Sequence, residues 1–431
     1  MGLPKGKLSL VSHGPERTKE LPDFKVAVSL SELEFDQHTM IKKFTLLVLL
    51  LVSAWFTAWV TVDRSLPSPV HERARKNQAT PDLLARVDIA PRGEALTFAR
   101  FKQNGQPRLI LVTDFVKGQV SGIDIQSQLP DGAADPIALF NLMGYAALEA
   151  LEGPPVKVAA DDLILPFPGT DNQIAVGINY PAHSDETAIT QSFVFPKRTA
   201  ATDHRAKVPA RDYLLDYEIE LGFVLLNDLS RDALPKYVGL VLSSDYTDRA
   251  ALMRHVNLRD VSSGEGFTQG KSERGFMPVG NLFVIPKDFQ RFYKSLKLEL
   301  WCNGEKRQEA KPANLIWDVQ RILFEALARE SLRWKWNNEV VSLPIKDRRI
   351  PARTMILSGT PGGVIYRQPT ARDIFLGVSE TFFMLRWFQP QTVVEPFLRN
   401  EHFSRRYLKP GDIVQMKANR LGTISNQIVA E

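Results

Sequence analysis

Nineteen consecutive residues near the start of the chain carry no charge. Segment 44–62 reads FTLLVLLLVSAWFTAWVTV, which is long enough to cross the roughly 30 Å hydrocarbon core of a bilayer as one helix. Trp55 and Trp59 lie toward its C-terminal end, where aromatic side chains are enriched at membrane interfaces. The sequence predicts a single-pass transmembrane helix at 44–62, with a buried core helix as the alternative.

The charges beside this segment leave its orientation open. Lys42 and Lys43 precede it, and several basic residues follow it, so the positive-inside comparison favours neither side. Our domain prediction is a mobile tail at 1–43, the transmembrane helix at 44–62, a linker at 63–79, a small α+β domain at 80–165 and a catalytic domain at 166–431. We therefore expect a single-pass membrane protein. The sequence does not indicate on which side of the membrane the catalytic domain lies.

The composition is that of an ordinary globular protein. Hydrophobic residues make up 44% of the chain and charged residues 24%, which is enough apolar material for a large core. The formal net charge is only +5, and no basic stripe accompanies it, so we expect no nucleic-acid partner. Cys302 is the only cysteine, which excludes an intrachain disulfide and predicts a small buried hydrophobic side chain.

The spacing of apolar residues predicts a β-rich α+β fold. Short alternating runs between 95 and 125 are separated by Asn-Gly and single glycines, as β-hairpins require. Residues 136–151 are predicted to be helical. From 174 onward many short strands are predicted, with helices near 248–259 and 314–332.

One predicted strand carries three carboxylates. In Asp216-Tyr217-Glu218-Ile219-Glu220-Leu221, strand alternation places the acidic residues on one face. Three stacked like charges repel one another unless a cation lies between them, and carboxylate oxygens are the ligands that Mg²⁺, Mn²⁺ and Ca²⁺ prefer. A solvated sheet face is the alternative.

Four further segments share their order with one enzyme family. They are Gly-Ile-Asn-Tyr-Pro-Ala-His-Ser-Asp-Glu at 177–186, Ser-Ser-Asp-Tyr-Thr-Asp-Arg at 243–249, Gly-Lys-Ser-Glu-Arg-Gly-Phe-Met-Pro-Val-Gly at 270–280 and Ser-Gly-Thr-Pro-Gly-Gly-Val at 358–364. With the closing segments at 408–412 and 421–426, the chain resembles the fumarylacetoacetate hydrolase family over 174–426. The resemblance implies that family's mixed-sheet catalytic fold, preceded here by the small α+β domain, and commonly a homodimer.

The resemblance also implies site residues, residue by residue. Glu218, Glu220 and Asp245 would hold Mg²⁺ or Mn²⁺, with Ca²⁺ as a further possibility. We interpret Asp216 as structural or as a residue that contacts the metal ligands. The other implied roles are catalysis by His183, Glu186 and Lys271 and substrate binding by Arg249 and Thr360. Glu186, three residues beyond His183, can meet it on one helical turn and orient it as a general base.

The activity implied is metal-dependent hydrolysis of a carbon–carbon bond in a small dicarbonyl or acylpyruvate-like 2-oxo acid. Decarboxylation, isomerisation or hydration on the same site are alternatives, as are a structural Ca²⁺ site and an inactive, membrane-tethered binding protein. Leu252 stands where fumarylacetoacetate hydrolases proper have a substrate-binding glutamine, so we do not expect that substrate. An aromatic and basic insertion at 365–407 is predicted to lie on a membrane surface, or to pack as a cap or at a subunit interface.

Overall fold

The computed structural model describes residues 37–60, 81–126, 134–210, 214–230, 234–385, 390–404 and 406–430. The chain divides into two compact units, Met1–Phe56 and Thr57–Glu431. Most of the predicted mobile tail at 1–43 and all of the predicted linker at 63–79 lie outside the described residues.

The described part of the first unit consists of helix α1, Gln37–Val60, whose last four residues belong to the second unit. Its segment His38–Thr57 is, by length and composition, the one helix of the described residues that is long and apolar enough to cross a membrane. The side chains from His38 to Thr57 are exposed, apart from the half-buried Trp55. The alternative of a buried core helix therefore does not fit the structure.

The second unit is built mainly of strands. The described ranges contain twenty-two of them: β1 Ala95–Gln103, β2 Gln106–Val116, β3 Gln119–Asp124, β4 Pro155–Ala159, β5 Leu163–Ile164, β6 Gln173–Gly177, β7 Phe193–Lys197, β8 Val208–Pro209, β9 Leu215–Asp216, β10 Ile219–Leu225, β11 Leu229–Ser230, β12 Val238–Ser244, β13 Thr247–Asp248, β14 Phe283–Pro286, β15 Leu298–Cys302, β16 Glu305–Ala310, β17 Trp334–Trp336, β18 Glu339–Val341, β19 Arg349–Ile350, β20 Met355–Leu357, β21 Ile413–Ala418 and β22 Gly422–Val429.

Eight further α-helices lie between these strands in the part of the chain that the structure describes. They are α2 Pro136–Glu149, α3 Pro181–Thr187, α4 Arg249–His255, α5 Phe267–Lys271, α6 Phe289–Lys294, α7 Val319–Leu327, α8 Ala371–Phe383 and α9 Glu395–Ser404. Short 3-10 helices occur at Pro81–Leu84, Ala160–Asp162, Val261–Ser263, Pro312–Asn314 and Pro390–Val394.

Eleven strands form one mixed sheet in the order β4-β3-β2-β1-β14-β12-β10-β20-β6-β7, with β5 beside β1. All its pairings are antiparallel except β20 with β6. A second sheet has the order β16-β15-β21-β22-β8. Because strands and helices are mixed without a regular βαβ repeat, the fold is α+β and β-rich, which confirms the predicted class.

The N-terminal strands do not form a sheet of their own. β1 pairs with β14 through Ala95 to Phe98, so the strands before residue 165 continue the large sheet. The chain sequence gives no sign of this pairing because its two strands are about 190 residues apart. The division into a small domain at 80–165 and a catalytic domain from 166 stays a prediction.

Two helices are shorter than predicted. Asp318 accepts the backbone N–H of Arg321, which starts α7 at Val319 rather than near 314. The Asn257 side chain accepts the N–H groups of Arg259 and Asp260, and this turn follows the end of α4 at His255. α2 begins at its predicted residue and ends two residues earlier than predicted, and Gly144, with φ 74°, breaks the helical backbone inside it.

Candidate metal centre

Glu218, Glu220 and Asp245 converge because two antiparallel strands end side by side. Glu220 lies near the start of β10, opposite Ser243 of β12, and Asp245 directly follows β12. The backbone N–H of Asp245 donates to the carbonyl oxygen of Glu218 at 2.9 Å. One oxygen from each carboxylate lies within 4.8 Å of the other two, a separation that a single cation can bridge.

All three carboxylates are buried. Glu218 is 3% exposed, and Glu220 and Asp245 are 1% exposed. The alternative of a solvated sheet face is therefore wrong, because both faces of this segment lie in the interior. A buried carboxylate must be protonated or compensated by a positive charge.

Glu218 is compensated by two basic side chains. Lys271 Nζ donates to Glu218 Oε2 at 2.5 Å and to Asp245 Oδ2 at 2.8 Å, and Arg249 Nη2 donates to Glu218 Oε1 at 2.6 Å. Burial alone would raise the pKa of Glu218, but Lys271, Arg249 and His183 outweigh it and lower this pKa to about 2. Glu218 is thus ionised at neutral pH.

Glu220 is compensated less, because Lys271 lowers its pKa without forming an ion pair with it. Its Oε2 accepts the backbone N–H of Gly359 at 2.8 Å, and no lysine or arginine of the described ranges forms an ion pair with it. Burial, and then the neighbouring charge of Asp245, raise the pKa of Glu220 well above its usual range. A divalent cation would supply the positive charge this carboxylate lacks.

The donor set therefore fits a hard divalent cation. Glu218, Glu220 and Asp245 would hold it through oxygen, and oxygen ligands suit Mg²⁺, Mn²⁺ and Ca²⁺ alike. Gly359 makes the loop beside Glu220 possible because its φ is +92°, and a Cβ there would lie 2.8 Å from the Asn179 Cβ. A larger residue would strain this backbone and displace its N–H from Glu220.

We expect the metal-free protein to lose stability as pH rises, through Glu220. Because the folded-state pKa is raised, this carboxyl group contributes fully below its ordinary pKa of 4.5, and the contribution is lost as pH rises through the folded value. Urea unfolding in EDTA at pH 5 and pH 8 should show a pH-dependent difference between wild type and Glu220→Gln. The free energy of unfolding of the wild type should fall between pH 5 and pH 8. That of Glu220→Gln should fall less, because glutamine does not ionise.

Saturating Mg²⁺ supplies the control for this experiment. Mg²⁺ at one hundred times Kd should stabilise the wild type by about 2.7 kcal/mol and leave Glu220→Gln unchanged. An identical pH dependence in both proteins would show that Glu220 does not titrate differently in the folded state.

A histidine and a glutamate meet on the short helix after β6. α3 begins at Pro181, which has no N–H to leave unbonded, and one turn of it brings His183 Nδ1 to 3.4 Å from Glu186 Oε2. His183 is 4% exposed and is one of the groups that lower the pKa of Glu218. Glu186 also accepts the Gly363 N–H at 2.7 Å.

The two predicted substrate-binding residues already have protein partners. Arg249 Nε donates to Asp216 Oδ2 at 2.9 Å, and the Tyr366 ring lies over the guanidinium, with its centroid 5.2 Å away. The Thr360 hydroxyl donates to the Ile219 carbonyl at 3.1 Å and accepts from Gln308 Nε2 at 3.0 Å. Their substrate roles stay predictions.

Asp216 does not stack with the other two carboxylates as strand alternation suggested. The strand is interrupted, because β9 ends at Asp216 and β10 begins at Ile219. Asp216 instead accepts the N–H groups of Ile365 at 2.9 Å and Tyr366 at 3.1 Å. These backbone donors and Arg249 give it the structural role that we expected.

Lys197 is a member of the cluster that the sequence analysis missed. It ends β7, is 0% exposed, and its Nζ contacts Asp245 Oδ1 and donates to the Lys271 carbonyl oxygen at 2.5 Å. The one available signal is a lysine in the otherwise apolar run Phe193–Lys197. Lys197 fixes the Asp245 carboxylate and the backbone of the helix that carries Lys271.

We expect Lys197→Met to lower the free energy of unfolding by about 3–5 kcal/mol, because removing one partner leaves buried acceptors unsatisfied. Lys335→Met is the matched control, since Lys335 is exposed on β17. Chemical denaturation of both variants measures the difference. Equal stability of the two variants would contradict the structural role of Lys197.

Leu252, on α4, packs against α5 and is not at the surface. It is 7% exposed, and a Cβ added at Gly270 would lie 2.6 Å from the Leu252 Cβ. Gly270 therefore lets α4 and α5 approach closely, directly beside Lys271. Leu252 contributes apolar packing where a glutamine would offer hydrogen bonds.

Comparison with known proteins identifies a matching family. The model for the fumarylacetoacetate (FAA) hydrolase C-terminal region matches residues 172–429. A 2,4-didehydro-3-deoxy-L-rhamnonate hydrolase of Sphingomonas sp. (strain SKA58) is 23% identical over 343 residues, which cover 77% of this chain and 96% of that protein.

Two further similarities bear on fold and activity. The mitochondrial oxaloacetate tautomerase of Mus musculus is 29% identical over 204 residues, 45% of this chain and 80% of that protein. Among solved structures, the fumarylacetoacetate hydrolase from psychrophilic Exiguobacterium antarcticum superposes with a TM-score of 0.50 at 20% identity, covering 78% of this chain and all of that one. At that identity, the structural likeness shows the fold alone.

Proposed function

The chain belongs to the fumarylacetoacetate hydrolase family, and from that premise we propose that it is a divalent-metal-dependent enzyme. Its reaction is hydrolysis of a carbon–carbon bond in a small dicarbonyl or acylpyruvate-like 2-oxo acid. The observation that carries the proposal is the buried Glu220 carboxylate, which lies beside Glu218 and Asp245 and forms no ion pair with a lysine or arginine of the described ranges.

The proposed roles follow from the chemistry of the groups. Glu218, Glu220 and Asp245 would hold a divalent cation, which would supply Lewis-acid polarisation of a carbonyl oxygen. The His183 imidazole, oriented by Glu186, accepts a proton from water, and the water oxygen bonds to the carbonyl carbon. The neighbouring carbon–carbon bond breaks with its electron pair on the leaving carbon, and the imidazolium returns the proton there.

Lys271 has an electrostatic role in this proposal. Its ammonium group lies between the carboxylates of Glu218 and Asp245, and a fixed positive charge in a buried site stabilises negative charge that develops on the substrate. Arg249 and Thr360 are proposed to contact the substrate. For Arg249 this requires a donor that Asp216 and Glu218 do not use.

The test is a spectrophotometric assay of the full-length protein with a panel of acylpyruvates, with Mg²⁺ or Mn²⁺ and with EDTA. Metal-dependent loss of absorbance, with pyruvate and the matching carboxylic acid as products in equal amounts, supports the hydrolase. No turnover of the panel by a metal-binding protein would contradict it and favour a binding role.

Isomerisation or decarboxylation is the second candidate. Relatives of this chain include the oxaloacetate tautomerase above and a bifunctional isomerase/decarboxylase of 4-hydroxyphenylacetate degradation from Salmonella dublin, which is 28% identical over half of this chain. The products distinguish these reactions, because decarboxylation releases CO₂ and isomerisation releases no fragment.

We also propose that α1 anchors the enzyme in a membrane as a single span. Its support is the length and composition of His38–Thr57. The protein should remain with membranes through an alkaline carbonate wash, and its release into the supernatant would contradict the anchor. A homodimer stays a prediction, and the side of the membrane stays unassigned.

A further inference from the structure

The insertion at 365–407 packs through only part of its surface. Its second half is partly buried: Val394, Phe397, Leu398 and Tyr407 lie in the core, whereas Phe403 is 70% exposed. Its first half is α8, which is held to the 3-10 helix Pro390–Val394 and to α9. Of the aromatic residues of α9, Phe397 is therefore packed against the protein and Phe403 is not.

α8 turns its polar side toward the protein. Asp373 is buried, caps the helix with Thr370 and accepts from Arg367 at 3.0 Å. Glu380 pairs with Arg399 of α9, and the Thr381 and Thr392 hydroxyls are 3.0 Å apart. Gly377 permits this close packing, because a Cβ there would lie 1.9 Å from the Val393 carbonyl oxygen.

The other side of α8 is apolar and exposed. Every exposed position from 371 to 385 carries an apolar residue. We define the apolar face of α8 by the large ones, which are 43–75% exposed: Ile374, Phe375, Val378, Phe382, Phe383, Met384 and Leu385. Ile374, Val378 and Phe382 are four residues apart and form a stripe along the helix, with Phe375 and Phe383 beside it. Met384 and Leu385 follow the end of the helix.

Such a stripe is the reverse of an ordinary surface helix, whose apolar side faces the core. A contiguous exposed apolar patch marks a contact with a membrane or another protein. Both acidic residues of α8, Asp373 and Glu380, are paired on the inner side, so the outward side carries no charge that would oppose entry into the headgroup region of a lipid leaflet.

The proposed membrane helix α1 favours a membrane over another protein as the contact of the apolar face of α8. α1 ends at Val60 and the next described element begins at Pro81, so the 20 intervening residues reach at most roughly 70 Å when fully extended. A membrane that holds α1 is therefore within reach of the second unit at all times. Tethering makes a second, weak attachment intramolecular and raises its effective concentration.

From these observations we propose that the apolar face of α8 lies in the interfacial layer of a lipid bilayer, as a second membrane contact. A short stretch of chain connects α8 to the candidate metal centre. Tyr366, five residues before α8, has its ring over Arg249, and its N–H donates to Asp216. Membrane contact would hold this side of the site toward the lipid surface.

The test uses full-length protein in phosphatidylcholine vesicles, with a polarity-sensitive fluorophore on Phe382→Cys. Cys302 is 2% exposed, so the unsubstituted chain measures background labelling. Val340→Cys is the matched control, because Val340 is an apolar residue outside the insertion that is 71% exposed. Nitroxide-labelled lipid should quench the fluorophore at 382 by at least about twofold and leave that at 340 unchanged.

A second variant tests the face itself. Phe375→Asp with Val378→Asp, in the Phe382→Cys background, changes only exposed positions and should abolish quenching while the protein still floats with the vesicles. The proposal is overturned if the fluorophore at 382 reports water as at 340, or if the protein does not float with vesicles. Emission at 382 that is typical of an apolar environment, but is not quenched by the labelled lipid, would also overturn it. That result would show that the apolar face contacts a second copy of the chain.

Discussion

The Glu220→Gln variant should lose metal-dependent turnover by about a thousandfold or more. Glutamine keeps the volume and can still accept the Gly359 N–H, but it removes the one carboxylate of the cluster that forms no ion pair with a lysine or arginine of the described ranges. Lewis-acid catalysis contributes several kcal/mol of transition-state stabilisation, and each 1.36 kcal/mol is about tenfold in rate. The acylpyruvate assay with Mg²⁺ measures this loss.

An exposed glutamate supplies the control for this prediction. Glu339→Gln makes the same chemical change on β18 and should retain wild-type turnover. Unfolding in EDTA shows whether Glu220→Gln is folded, and the fold should be intact because the substitution removes a buried charge. Wild-type turnover by a folded Glu220→Gln protein would remove Glu220 from the catalytic site.

The His183→Gln variant should lose about 10²–10⁴-fold in turnover, the usual contribution of a general base, and keep its affinity for metal. Glu186→Gln should lose less, because Glu186 acts through the imidazole at 3.4 Å and is partly exposed. Its turnover reports the orientation of His183 rather than proton transfer itself. Metal titration of both variants separates a catalytic defect from a loss of the metal site.

His255→Gln is the matched control, since His255 is exposed at the end of α4 and should tolerate the change. Wild-type turnover by His183→Gln would show that another group activates water. Loss of metal affinity in His183→Gln would instead make His183 part of the metal site.

Much of the candidate site follows from local sequence. Spacing in the acidic segment places Glu218 and Glu220 two residues apart, and the His183–Glu186 contact needs only one helical turn. Asp245 reaches the same place because β10 and β12 are neighbours in the sheet. The sequence does not show that these two strands are neighbours. Asp245 was predicted to join the site because the order of the motifs resembles that of the family.

The features that the sequence did not indicate are long-range. Lys197 meets Asp245 across 48 residues, and its position at the end of an apolar run does not indicate which carboxylate it contacts. The interruption between β9 and β10 arises because Asp216 accepts N–H groups from residues about 150 positions away. Such contacts depend on tertiary packing, which overrides local strand preference.

The orientation of α8 was also beyond the sequence. An amphipathic pattern predicts a helix with two unlike sides, but it does not say which side faces the protein. Arg367, Arg399 and Gly377 decide it by binding and packing the polar side. The apolar face is consequently a structural finding rather than a sequence prediction.

Binding of Mn²⁺ tests the central claim most directly, because it requires neither a substrate nor a chosen reaction. Titrating Mn²⁺ into the full-length protein and following the free ion by electron paramagnetic resonance should show one site per chain in the wild type and in Glu339→Gln. Glu220→Gln should leave nearly all Mn²⁺ free at the same concentrations. Equal binding by wild type and Glu220→Gln would contradict a metal centre at Glu218, Glu220 and Asp245.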